Sequence, residues 1–170
     1  MLKRMKLLSV CLGAVFIASC ASYTPNVNLP SDIKTAAVPI FVNKTDRYEM
    51  EQYITQKTLD EFLKDGKVSI ADEKTADAII KCRLKKYVLT PVRFDVNQIP
   101  QEYLLRIYMD IYFFDNRAQR LLWKDENLWE ETRYYVVNDI GMPVEDETIG
   151  RNRVLDKLAS RVLRRVVYGW

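Results

Sequence analysis

Residues 102–114 alternate without a break, and that alternation limits the chain more than any other feature. Tyr103, Leu105, Ile107, Met109, Ile111 and Phe113 fall in one set, and Leu104, Arg106, Tyr108, Asp110 and Tyr112 in the other. Successive side chains of a strand point to opposite faces, so the first set is one wholly apolar face. Such a strand needs a sheet around it and a layer over its apolar side. Two further segments supply neighbours. In 77–89, Ala78, Ile80, Cys82 and Leu84 oppose Lys81, Arg83 and Lys85. Lys86 interrupts that pattern, and Tyr87 and Leu89 resume it in the other phase, which one extra residue in a β-bulge at Lys85–Lys86 would produce. Pro91 is expected to close this strand. After a turn at Asp115-Asn116-Arg117, residues 120–137 return as a strand with Leu121 and Trp123, then Trp129, Tyr134 and Tyr135. Its phase is ambiguous, because Leu122 and Leu128 lie on the alternate set. Short connections make the three strands an antiparallel meander.

The remaining segments supply the covering layer. Residues 33–42 form a strand candidate with apolar residues on both sides, and Pro39 predicts a bulge or a strand end within it. Asn43-Lys44-Thr45-Asp46 turns the chain; its match to a glycosylation sequon is explained by turn chemistry. Asp46 and Glu49 have the spacing of a capping box. A helix is predicted over 48–65, with Met50, Ile54, Thr58 and Phe62 joined by Leu59 and Leu63 in one stripe, and Gly66 as its left-handed cap. A short strand follows at 67–71. After a loop at 138–143, a second helix is expected over 145–167, with Val154, Leu155, Leu158, Val162 and Val166 as its stripe. Glu145, Asp146 and Glu147 at its start and Arg161, Arg164 and Arg165 near its end suit the helix dipole. Two helices cover one face of such a sheet. The expected fold is a two-layer α+β sandwich: a mainly antiparallel four- or five-stranded sheet with two helices on one face. The opening strand–helix–strand unit crosses over right-handed if its strands are parallel.

The front of the chain has a different character. Lys3, Arg4 and Lys6 precede an apolar run from Leu7 to Ala18, and Ser19-Cys20 follows. That run has 12 residues, too few to span a bilayer as a helix, which takes roughly 20. The order is that of a secretory signal, and Ile17-Ala18-Ser19-Cys20 resembles a bacterial lipobox. The resemblance implies cleavage before Cys20 and acylation of its thiol and new N-terminus. Ala21, where Asp would mark retention in the inner membrane, resembles an outer-membrane address. The expected organisation is a signal peptide at 1–19, a lipidated N-terminus and tether at 20–31, and one α+β domain at 32–170.

Composition narrows the chemistry. Of the 26 basic residues, three leave with the leader, so 23 face 23 acidic residues and the remainder is neutral. Nothing points to a nucleic-acid partner, and any electropositive site must be a local patch. The chain has three cysteines. With Cys11 in the leader and Cys20 acylated, Cys82 has no disulfide partner and reads as a small buried hydrophobe. The absence of histidine removes Ser-His-Asp and Cys-His catalysis and imidazole-based zinc sites. No cysteine pair has metal spacing, and five scattered glycines draw no phosphate loop. The expectation is a non-enzyme with no cofactor and no metal.

Several segments together resemble a known family. Val38-Pro39-Ile40-Phe41 leads into Asn43-Lys44-Thr45, a helix ends Glu61-Phe62-Leu63-Lys64-Asp65-Gly66, and Ala76-Asp77-Ala78 opens a long strand. Tyr103-Leu104-Leu105, then Leu121-Leu122-Trp123-Lys124, then a terminal helix complete the series. In order and spacing these are similar to the lipopolysaccharide-assembly lipoprotein family, LptE, along essentially the whole mature chain. The turn at 115–119 lacks the glycine expected there. The resemblance implies an outer-membrane lipoprotein that faces the periplasm, plugs and supports the LptD β-barrel, binds lipopolysaccharide, and catalyses nothing.

Two surfaces fit that work. The sheet face away from the helices carries Tyr108, Tyr112, Leu104 and Trp129 among charges, which suits partner contact, although single surface aromatics are ordinary. Lys81, Arg83 and Lys85, with Lys86 beside them, could hold lipopolysaccharide phosphates. Alternatively they guard an edge strand, or Glu102 or Asp110 neutralises them across strands. Two other classes compete with the family reading: an ABC-transport auxiliary or small-ligand-binding outer-membrane lipoprotein, and an anchored hydrolase with a carboxylate-only mechanism.

Overall fold

The computed structural model describes residues 29–138 and 141–169. The predicted leader, Cys20 and most of the predicted tether lie outside the described residues, as do 139–140 of the predicted loop. In chain order the elements are β1 (Thr35–Ala37), β2 (Val42–Asn43), α1 (Met50–Asp65), β3 (Ser69–Ile70), β4 (Ala78–Phe94), β5 (Pro100–Asp115), β6 (Arg120–Tyr135) and α2 (Glu147–Leu163). A π-helical turn, Arg164–Tyr168, continues α2. The sheet runs β3-β1-β4-β5-β6, with β2 also beside β4. β4, β5 and β6 form the expected antiparallel meander. β1 lies parallel to both β3 and β4, and β2 parallel to β4.

The α+β class holds and the long ladders are antiparallel, but the sheet has six strands rather than four or five and is mixed, because three short pairings are parallel. The reason is local. Around Pro39, which has no N–H for a ladder, residues 38–41 leave the sheet and divide the first predicted strand into β1 and β2. Phe41 then donates its N–H to Thr55 Oγ1 on α1, at 3.0 Å, instead of to a neighbouring strand.

Other boundaries also differ from expectation. Asp46 and Glu49 form no capping box. Glu49 occupies the N-cap position in a left-handed conformation (φ 66°), and its side chain makes no capping bond. Asn43 organises the turn instead: its Oδ1 accepts from the Thr45 N–H at 3.0 Å, and its Nδ2 donates to Arg47 O at 2.6 Å and Glu51 Oε2 at 2.9 Å. This is the turn chemistry expected of Asn43 and Thr45. Gly66 is the left-handed cap of α1, donating its N–H to Phe62 O. Met50, Ile54, Thr58 and Phe62 are buried as predicted, but Leu63 is 68% exposed. Pro91 does not end β4. The strand passes it with a register shift and runs to Phe94. β2 pairs no further along β4 than Leu84, so Pro91 sits on a free edge, where a missing N–H leaves no ladder bond unmade. α2 starts later than expected, at Glu147, with Asp146 as its N-cap accepting from the Ile149 N–H at 2.9 Å.

The predicted bulge is present, as a register shift between Leu84 and Lys86. β6 contains two irregularities, opposite Met109/Ile111 and Phe113/Phe114, and these account for its mixed phase. Ile80, Leu84, Leu105, Ile107, Ile111 and Phe113 project from one sheet face into a core closed by Ile54 and Phe62 of α1 and Leu155, Leu158 and Val162 of α2. Gly150 lets α2 approach the sheet: a Cβ there would stand 2.8 Å from the Tyr134 ring. Tyr134 itself stacks on Tyr103 with ring centroids 5.4 Å apart.

Asp77 ties the start of the fold together. Its carboxylate accepts the Lys34 and Thr35 N–H groups at 2.8 and 2.9 Å and pairs with Arg117 from the β5–β6 turn. The Arg117 hydrogen bond, then those backbone donors, hold its carboxyl well below the usual carboxylate range. A depressed folded pKa stabilises the fold above the unfolded value of about 3.9, and that contribution is lost as pH falls through the folded value. Asp77→Asn should therefore melt at a lower temperature than wild type at pH 7, and the gap should narrow once the pH drops below about 4. Thermal melts at pH 7 and in acid check this; an equal gap at both would contradict it.

Candidate binding face

The helices cover one side of the sheet, and the other side is open. Register decides what it carries. Lys81 lies opposite Tyr112, Arg83 opposite Asp110, and Lys86 opposite Tyr108. Tyr108 in turn faces Trp129, and Arg106 faces Glu131. The β-bulge is what brings Lys86 onto the same face as Lys81 and Arg83, since a strand without the extra residue would send it to the core. All the residues singled out from the alternation, Lys81, Arg83, Lys85, Lys86, Tyr108, Tyr112 and Trp129, are thus gathered on one surface.

Their partners divide them. Lys85 stands 3.2 Å from the buried carboxylate of Asp110 and donates to Asn127 Oδ1 at 2.9 Å. Asp110 also accepts the Asn127 N–H at 2.9 Å, so Lys85 belongs to a structural cluster that holds the β6 bulge. Glu102 does not reach the stripe; it pairs with Arg93 and Arg133. Lys81, Arg83 and Lys86 are exposed and have no carboxylate partner among the described residues. Edge protection does not explain Lys81 and Arg83, because β1 and β2 flank β4 at Ala78–Ile79 and Arg83–Leu84.

Each of these three cations lies over an aromatic ring. Lys81 Nζ is 5.3 Å from the Phe114 centroid, the Arg83 guanidinium 5.8 Å from Tyr112, and Lys86 Nζ 5.9 Å from Tyr108. Arg106 sits 4.5 Å above Trp129 while bound to Glu131 at 2.6 Å, and Trp129 is 44% exposed. The aromatics are therefore a row with cations over them rather than isolated rings. Val42, Lys81, Arg83, Tyr112 and Phe114 line a shallow depression of about 300 Å³. Phe114 continues the even-numbered set of β5 and was legible as such; Val42 arrives through a parallel pairing that has no local signal. Such a surface can take an anionic group with an apolar or sugar face beside it, the anion on the cations and the face on the rings.

Cys82 is buried beneath this face as a free thiol, and burial pushes its pKa up, which fits a small hydrophobe rather than a nucleophile. No helix among the described residues is long and apolar enough to cross a membrane.

The architecture places the chain in a class of solved bacterial folds. A protein from Xanthomonas campestris superposes with a TM-score of 0.52 at 10% identity, covering 85% of this chain and 94% of that one. A minor lipoprotein from Acinetobacter baumannii gives 0.50 at 15% identity, over 79% and 92%. Lipoprotein B from Nitrosomonas europaea gives 0.50 at 10% identity, over 81% and 83%. At these identities the likeness is one of fold. No curated protein sequence matches the chain. Residues 33–166 match the family model of LptE, lipopolysaccharide assembly, and the chain belongs to that family.

Proposed function

We propose that this chain is an outer-membrane lipoprotein, held by acyl chains on Cys20, that assembles lipopolysaccharide at the cell surface together with the LptD β-barrel. It acts there as plug and lipopolysaccharide-binding subunit and performs no covalent chemistry. Family membership supports the assembly role. The observation that carries the binding role is the row of Lys81, Arg83 and Lys86, each over a ring and none with a carboxylate. Lipopolysaccharide offers phosphates for the cations and sugar faces for the rings. A hydrogen bond to a charged group contributes about 1.5–3 kcal/mol. Reversing three cations should therefore weaken binding by well over tenfold. The test is lipopolysaccharide binding by purified full-length chain carrying Lys81→Glu, Arg83→Glu and Lys86→Glu, with far-ultraviolet circular dichroism alongside. The expected result is weak binding by a folded variant. Wild-type affinity in that variant would remove this face as the site. Lys85→Glu should instead lower stability, because it puts a second carboxylate against Asp110.

A further inference from the structure

The cations of the open face are unevenly spaced. Between Tyr103 and Asp115 the extra residues of both ladders lie on β4 and β6, so β5 is a regular ruler of roughly 3.3 Å per residue. Lys81 lies over Phe114 and Arg83 over Tyr112, ring positions roughly 7 Å apart along it. Lys86 lies over Tyr108, four residues beyond Tyr112 and so roughly 13 Å from the Arg83 position. The position between those rings is Asp110. A fourth cation, Lys85, is available to fill that gap, but Asp110 draws it in at 3.2 Å and its charge is spent there. Beside the gap stands an exposed carboxylate, Glu126, whose Oε1 accepts the Tyr112 hydroxyl at 3.3 Å. The face is therefore electropositive at two places and not between them. The two ends also differ in shape. Lys81 and Arg83 border the depression that Val42 and Phe114 complete. Lys86 has only the Tyr108 ring, with Trp129 facing it across the ladder.

We infer that this face holds two anionic groups of one ligand molecule at once, roughly 13 Å apart, one on Lys81 and Arg83 and the other on Lys86, with a neutral body over the gap. The inference rests on the lipopolysaccharide reading above and narrows it: the ligand class is a glycolipid phosphorylated at both ends of its sugar pair, not at one. A continuous polyanion puts charge against Asp110 and Glu126 and is rejected there by like charge. A ligand with one phosphate engages one end and leaves the other cation on its ring. When both ends are engaged, the second contact forms within the complex, at high effective concentration, and tightens binding without any further surface.

The experiment is titration calorimetry of the purified full-length chain with two probes in the same detergent: lipid A carrying a phosphate at each end of its disaccharide, and lipid A carrying one. Wild type should bind the first at least tenfold more tightly. Lys86→Gln should weaken binding of the doubly phosphorylated probe at least fivefold and leave the singly phosphorylated one within about twofold, because the pair end still holds it. Arg83→Gln should weaken both. Lys74→Gln, the same loss of charge in the β3–β4 turn away from this face, should change neither. Equal affinity of wild type for the two probes overturns the inference and leaves the lipopolysaccharide reading standing. So does an equal loss for both probes in Lys86→Gln, or a loss in Lys74→Gln as large as that in Lys86→Gln. Failure of wild type to bind either probe overturns the inference and that reading together.

Discussion

Phe113→Ala is expected to cost about 3–5 kcal/mol of folding stability, the range for an aromatic truncated in a closed core. Phe113 is fully buried near the C-terminal end of β5, opposite Ile80 on β4 and Trp123 on β6. Its ring lies 5.4 Å from that of Trp123. β5 is held by ladders on both sides, so the backbone cannot close over the space left behind. For a domain of this size the melting temperature should fall by roughly 6–20 °C. Tyr112→Ala, one residue away on the open face, should cost much less. Urea unfolding of the two variants measures the contrast. Equal losses would mean that the two faces of the sheet have been exchanged.

If Cys20 carries the acyl anchor proposed above, Cys20→Ser should release the chain from the membrane. Each buried CH2 of an acyl chain contributes about 0.8 kcal/mol; one chain holds a protein only marginally, and several hold it durably. The apolar run of 12 residues from Leu7 to Ala18 is no substitute. Without the thiol there is no thioether, and cleavage before residue 20 has no substrate. Membrane fractionation and intact mass of the native product test both halves. An outer-membrane chain with an unmodified N-terminus would show that Cys20 is not the anchor.

Much of the fold was readable wherever one strand face differed sharply from the other. β5 alternates over its whole length, and the bulge of β4 announced itself as a change of phase at Lys86. β6 did not announce its own, because its two irregularities follow each other within a few residues and the carboxylate that holds one of them, Asp110, sits on another strand. The split at Pro39 was foreseen, but the continuation past Pro91 was not. The difference is whether the neighbouring strand extends that far, which is a property of the sheet and not of the proline. The capping box failed because Asn43, earlier in the chain, had already bonded the turn. For the open sheet face, the alternation placed these residues on the strands and in the parity that the register has. It could not separate Lys85 from Lys81, Arg83 and Lys86, since that depends on which cation meets Asp110 across the register.

The central claim is that this face and fold serve a β-barrel partner in lipopolysaccharide assembly. The most direct measurement is capture of a tagged full-length chain from detergent-solubilised outer membranes. The account predicts that one large β-barrel protein comes with it, in equal amount. Recovery of a periplasmic or inner-membrane transport complex instead, with no barrel, would contradict it.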